Sequence, residues 1–283
     1  MAREALMLVR LVVLCLVAAC GAGKPQCPLV EPATPGAPFL WKAHKGGAIV
    51  WLYGTIHDVG LDGVPKTARD AFEASPRLVS ELGDATPDPD VFRKHARNTG
   101  KGIDQLLPSD DWYDLRDALL GKVKEDDLRR AKPWYAMSLL SMHLGPTKGP
   151  SMDTQLAEKA GEAGKPVEAL EQWEEQLALL DNAVGVADLQ EAIRARKTMK
   201  CDLARMINAY RAGDTETMQA LLVIPRTRDT LLTPRNKKWL PAIEKQFAQG
   251  GAFVAVGLGH LLGDAGLVAL LKQAGYTVER LPR

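Results

Sequence analysis

Neither sign of charge prevails in this chain: 36 Lys and Arg face 35 Asp and Glu, and no long basic run breaks the balance. That excludes an electrostatic footprint for nucleic acid or for a strongly acidic partner. Cysteine is also scarce, with four in 283 residues, and their spacing matches no zinc-binding pattern. The apolar run near the start, residues 11–19, is too short to span a bilayer. The rest is ordinary globular material: 46% hydrophobic and 25% charged residues, enough for one large domain or two small ones with a sizeable core.

Arg3 and Arg10 precede that apolar run, which ends Leu16-Val17-Ala18-Ala19-Cys20. A basic start, a short apolar stretch and small residues before a break make residues 1–19 a secretory signal. Small residues directly before a cysteine resemble the lipobox of bacterial lipoproteins, which implies that Cys20 is lipidated and begins the mature chain; ordinary cleavage nearby is the other reading. Gly21 rather than aspartate follows, which in such lipoproteins implies release from the inner membrane. Residues 20–36, rich in Gly and Pro, then read as a tether. The expectation is an exported protein at the bacterial cell envelope, held by a lipid anchor at the outer membrane and facing the periplasm. Cys15 leaves with the signal and Cys20 carries lipid, so Cys27 and Cys201 stand as a candidate disulfide.

Two short runs repeat one pattern: Trp51-Leu52-Tyr53-Gly54-Thr55-Ile56-His57 and Val254-Ala255-Val256-Gly257-Leu258-Gly259-His260. Each reads as an apolar strand, then Gly-x-x-His, then a helix and a second strand. The first copy follows a hairpin over residues 39–53 turned at Gly46-Gly47, and continues into a helix at 65–74 and a strand at 77–81 ending in Glu81. The second copy has a strand at 252–256, a helix at 264–274 stopped by Gly275, and a strand at 276–281. Glu279, two residues before the end of that strand, reads as a solvated surface charge. Between the copies, helical spacing of apolar residues recurs at 112–120, 133–143, 153–163, 173–183, 188–212 and 215–222, with one further strand at 166–170 leading to Glu171. The expected fold class is α/β: a central mixed sheet built from two strand–GxxH–helix–strand half-units, spanning residues 37–283, with a helical insertion over about 105–245.

A glycine at a strand end allows a sharp turn, so each histidine can lean over the carboxyl edge of the sheet, where open α/β folds bind ligands. His57, His260 and Glu81 would then supply two imidazoles and a carboxylate at one edge, a set suited to a divalent transition metal with open positions. Such an ion acidifies water and polarises a carbonyl. From spacing alone, two histidines bonded locally at turns are the favoured reading; the repeated setting around each shifts the balance to metal or acid–base use. His44, His95 and His143 lie in no such setting.

Around these residues the chain resembles the TraB/GumN family, related to the Tiki proteases and more distantly to ChaN-like and erythromycin-esterase-like proteins. The resemblance runs from Phe39 to the C-terminus and includes Gly54-Thr55-Ile56-His57, Val79-Ser80-Glu81-Leu82, Lys132-Pro133-Trp134, Met152-Asp153, Ala169-Leu170-Glu171 with Gln176, Gly213-Asp214, Arg235-Asn236 and Gly257-Leu258-Gly259-His260. It departs at Gly83, where the family more often has aspartate, and at Leu258, where alanine is commoner; Asp84 is either a substitute or a loop residue. The resemblance implies a metal-dependent hydrolase, a peptidase in kind, with His57, Glu81 and His260 as metal or catalytic residues and Mn2+ or Co2+ as the ion. Arg235 and Asn236 are the next contributors, Arg235 holding a substrate carboxylate or a developing oxyanion. Asp153 and Glu171 are further landmarks that also fit structural roles. If Glu81 ligates the ion, the general base lies elsewhere, with Asp58 beside His57 a candidate. The other reading is a non-catalytic module that binds haem, as the ChaN-like relatives imply, or a peptide signal, as the TraB and PrgY relatives imply. The substrate, peptide or small molecule, is not legible.

Overall fold

The computed structural model describes residues 36–57, 59–60, 64–145 and 150–282. The signal segment, Cys20, the tether up to residue 35, Cys27 and Asp58 lie outside the described residues. Contacts divide the chain into two compact units: one holds residues 86–148 and 173–204, the other residues 36–85, 149–172 and 205–282.

The second unit is α/β and carries a mixed six-stranded sheet. Its strands are β1 (Leu40–His44), β2 (Ile49–Thr55), β3 (Leu78–Ser80), β4 (Val167–Ala169), β5 (Ala252–Gly257) and β6 (Thr277–Arg280), in the spatial order β4-β3-β5-β2-β1-β6. β1 and β2 form the expected hairpin, with Leu40 opposite Tyr53 and Gly46 left-handed in the turn (φ 81°). β2, β5, β3 and β4 run parallel, whereas β1 is antiparallel to both β2 and β6. All but the last residue of β5 is buried, as a strand covered on both faces requires.

Five helices of this unit matter for the site: α1 (Lys66–Ala74), α2 (Met152–Glu162), α3 (Thr215–Leu222), α4 (Thr233–Ala248) and α5 (Leu267–Gln273). α1 buries Ala68, Ala71 and Phe72 on one stripe, and Phe72 sets its ring edge-on to Phe253 of β5 at 5.5 Å. Ser151 caps α2 by accepting the Thr154 N–H, and Asp214 caps α3 by accepting the Thr217 N–H. α5 stops ahead of Gly275, which is left-handed as expected (φ 83°). α4 escaped the sequence reading because a wide π-helical turn, Arg228–Leu232, runs directly into it and Pro234 and Pro241 interrupt its pattern.

The two strand–His–helix–strand segments part company at their second strands. From β2 the chain crosses one strand to reach β3, while from β5 it crosses two in the opposite direction and ends at the far edge as β6. Crossovers that leave two adjacent strands in opposite directions make the carboxyl ends of β2 and β5 the switch point of the sheet, the place where open α/β folds bind ligands. Glu279 on β6 faces Lys42 across the ladder and is exposed, a surface charge as read from sequence.

The other unit is helical and includes Pro89–Ala96, Ser109–Ala118, Pro133–Leu144, Trp173–Ala183 and the first part of Val186–Ala212. Trp112, Leu115, Trp134 and Leu177 are buried in it, and the Trp134 indole N–H donates to His95 O at 2.7 Å. Cys201, on the long helix, is disulfide-bonded. No helix among the described residues is long and apolar enough to cross a membrane.

Candidate active site at the strand ends

Four adjacent parallel strands end at one edge, and the residues just past their ends follow the sheet order Glu171, Glu81, His260, His57. The β3–β4 pairing continues past both strands, with Leu170 N–H donating to Ser80 O and Glu171 N–H to Glu81 O, which brings the two glutamates side by side. Glu81 Oε1 accepts the Gly257 N–H at 2.9 Å, so β5 holds the carboxylate by its backbone.

Helix α4 supplies the counter-charge. Arg235 grips Glu171 with a bidentate fork, Nε to Oε2 at 3.0 Å and Nη2 to Oε1 at 2.6 Å. The same Nη2 donates to Glu81 Oε2 at 2.6 Å, and Nη1 donates to His260 Nε2 at 3.0 Å. A guanidinium only donates, so His260 Nε2 carries the lone pair and its proton sits on Nδ1. That Nδ1–H donates to Asn236 Oδ1 at 2.6 Å, while Asn236 Nδ2 donates to His260 O and Ala265 O. The Trp239 indole, fully buried one turn beyond Arg235 on α4, lies 4.4 Å from the His260 ring and 4.5 Å below the guanidinium.

His57 sits at the neighbouring corner. Its Nδ1 is 3.1 Å from Asp153 Oδ2, at the start of α2, and Thr55 Oγ1 donates to Asp153 Oδ1 at 2.7 Å. Behind it, the buried Tyr210 hydroxyl donates to Gly54 O and lies 3.0 Å from Tyr53 OH; burial raises the pKa of both phenols, and Tyr53 is packed in the core.

The motif glycines act differently from the sequence expectation. Neither adopts a left-handed backbone: Gly54 lies inside β2, and Gly257 has φ −50°. Each instead permits a close approach. A Cβ on Gly54 would stand 2.5 Å from Leu258 Cδ1, and one on Gly257 would press on Glu81 Oε1 at 3.3 Å. Leu258, the departure from the commoner alanine, therefore fills the space that Gly54 leaves open. Asp84 is exposed on the turn after β3.

Burial pushes His260 down to about 3, Arg235 pushes the same way, and Glu81 opposes them. Partial burial raises Glu81, but Arg235 first, then His260, the Gly257 N–H and His57, outweigh it and hold the carboxyl at about 2. Both folded values lie below the ordinary ones, so as pH falls the unfolded chain takes up protons before the folded one does. Stability is thus fully present above about pH 6.5, falls first through His260 and, below about pH 4.5, through Glu81 as well, by up to ~1.4 kcal/mol per pH unit per group. Urea midpoints taken from neutral pH downward test this; a flat profile down to about pH 5 would place a solvated imidazole at His260.

Among the described residues no three His, Cys, Asp or Glu side chains already converge as a metal cage. The donor set nonetheless suits a divalent ion in kind and charge: a neutral imidazole lone pair, the carboxylates of Glu81 and Glu171 on the Arg235 guanidinium, and His57 with Asp153 against it at the neighbouring corner. His260 Nε2 and Glu81 Oε1 are 3.9 Å apart, and Arg235 bridges them. Asn236 also lines a cavity of about 370 Å3 with the apolar residues Val223, Leu232 and Leu262, the ion pair of Arg228 with Asp229, and Asp264. Sequence reading had named His57, Glu81, Arg235, Asn236 and His260, left Asp153 and Glu171 as landmarks, and missed Trp239. The spacing of Arg235 and Trp239, one helical turn apart, was the available signal.

The profile of the TraB/PrgY/gumN family matches residues 39–280. The zebrafish (Danio rerio) protein described as metalloprotease TIKI2 is 22% identical over 317 residues, covering 86% of this chain and 61% of that protein. The chain thus spans less than two thirds of the length of this curated relative. No solved structure matches.

Proposed function

Because this chain belongs to the TraB/PrgY/gumN family, we propose that it is a metal-dependent hydrolase acting on peptides, built from two strand–GxxH half-units that meet at one sheet edge. The observation that carries this reading is His260, whose Nδ1–H is held by Asn236 so that its Nε2 lone pair meets Arg235 beside the carboxylates of Glu81 and Glu171. His57, Glu81 and His260 would hold the ion, with Glu171 a further carboxylate in reach. Mn2+ or Co2+, when bound, supplies Lewis-acid polarisation of a carbonyl and water of lowered pKa.

The remaining chemistry belongs to the chain. Asn236 fixes the His260 tautomer by accepting its Nδ1–H, and Asp153 stands against Nδ1 of His57 in the matching place. Arg235 neutralises a developing oxyanion or holds a terminal carboxylate of the substrate. Trp239 covers His260 and the guanidinium from one side and keeps water from that face. The cavity beside Asn236 receives an apolar side chain of the peptide. In this reading the protein is exported and works at the cell envelope, anchored through a lipid on Cys20.

A library of unstructured peptides, incubated with the chain loaded with Mn2+ or Co2+ and analysed by mass spectrometry, tests the proposal. Cleavage that a chelator abolishes and either ion restores is expected. Intact peptides together with tight peptide binding would replace the enzyme by a peptide-capturing module.

A further inference from the structure

Glu81, Glu171 and His260, three of the four residues that would receive the ion, are already engaged by one side chain. Arg235 reaches Glu81 Oε2, both oxygens of Glu171 and His260 Nε2 with three nitrogens, so it bridges Glu81 and His260, whose Oε1 and Nε2 lie 3.9 Å apart. The guanidinium cannot give up its charge to make way. A divalent ion at that place would face like charge at contact distance.

The grip of Arg235 is uneven. Toward Glu171, whose side chain is 4% exposed, it has a bidentate fork, and Trp239 lies under the guanidinium plane. Toward Glu81 and His260 it has one bond each. The Glu171 and Trp239 contacts form an anchor that can persist while the other two bonds are exchanged.

We propose that Arg235 is an internal cation that competes with the divalent metal for Glu81 and His260, so that occupancy of the site is set by how readily Arg235 releases those two residues. This rests on the metallohydrolase reading. It makes the wild-type site weaker for metal than its donors alone would be, and it couples ion entry to the freeing of the guanidinium that handles substrate.

The test is a Co2+ titration of the full chain followed by visible d–d absorption and by elemental analysis after dialysis. Arg235→Met is expected to bind Co2+ roughly tenfold or more tighter than wild type. Adding His260→Ala to that variant should abolish the gain, and guanidinium ion at non-denaturing concentration should compete with Co2+ in Arg235→Met. Its thermal midpoint should also rise with Co2+, because the ion replaces the cation that Glu81 and Glu171 have lost. If Arg235→Met does not fold without metal, Arg235→Lys keeps a cation near Glu171 without the fork and should bind with intermediate affinity. Wild type binding Co2+ through His260 as tightly as both variants would overturn the competition and leave the hydrolase reading intact. Absence of binding in wild type and in both variants would remove that reading along with it.

Discussion

Glu81→Gln is expected to lower kcat/KM on a cleaved peptide by roughly 10²- to 10⁴-fold while leaving the fold in place. The amide matches the carboxylate in shape, and its oxygen can still accept the Gly257 N–H at the end of β5. Arg235 keeps its fork on Glu171. What disappears is a negative charge that the surroundings hold ionised down to low pH, together with the acceptor for Arg235 Nη2, because the amide nitrogen takes the place of Oε2. Asn236→Ala gives the contrasting result. Without Oδ1, the His260 Nδ1–H loses its acceptor in a buried site, both tautomers become available, and metal affinity should fall roughly 10- to 100-fold. Saturating Mn2+ should therefore restore much of the activity of Asn236→Ala and none of that of Glu81→Gln. Wild-type turnover by Glu81→Gln would remove this carboxylate from the reacting set.

Much of this site was legible because sheet geometry and sequence pattern share a period. Apolar runs of strand length, each closing on a polar residue at 57, 81, 171 and 260, can be read without coordinates, and the parallel sheet then lines up their ends. Helices whose stripes bury a regular apolar face, such as Trp173–Ala183 and Thr215–Leu222, were readable for the same reason. Three things were not. The order of strands depends on which crossover passes which neighbour, a long-range choice that leaves no local signature, so β6 at the far edge could not be foreseen. Helix α4 hides behind a π-helical turn and two prolines, so the element that carries Arg235, Asn236 and Trp239 was not read as one helix. The motif glycines look like turn formers in sequence, yet their need comes from Leu258 and Glu81, one across the sheet and one far along the chain.

Glu171→Leu should cost the fold roughly 3–5 kcal/mol in urea unfolding, the largest stability effect expected from a single substitution near the site. Leucine is apolar and near the glutamate in size, so the loss would come from Arg235 and not from a cavity. Its side chain is 13% exposed and would keep single bonds to Glu81 and His260, but the fork that offsets the desolvation of the guanidinium would be gone. Arg235→Met added to Glu171→Leu should recover part of the loss, because an apolar pair in place of a buried ion pair is close to neutral. Glu81 limits the recovery: it would keep the Gly257 N–H but lose its nearest cation. The double-mutant cycle should therefore give a clearly non-zero coupling between Glu171 and Arg235. Coupling near zero would mean that Glu81 alone holds Arg235, and then the anchor that lets the guanidinium release His260 without leaving the site would not exist.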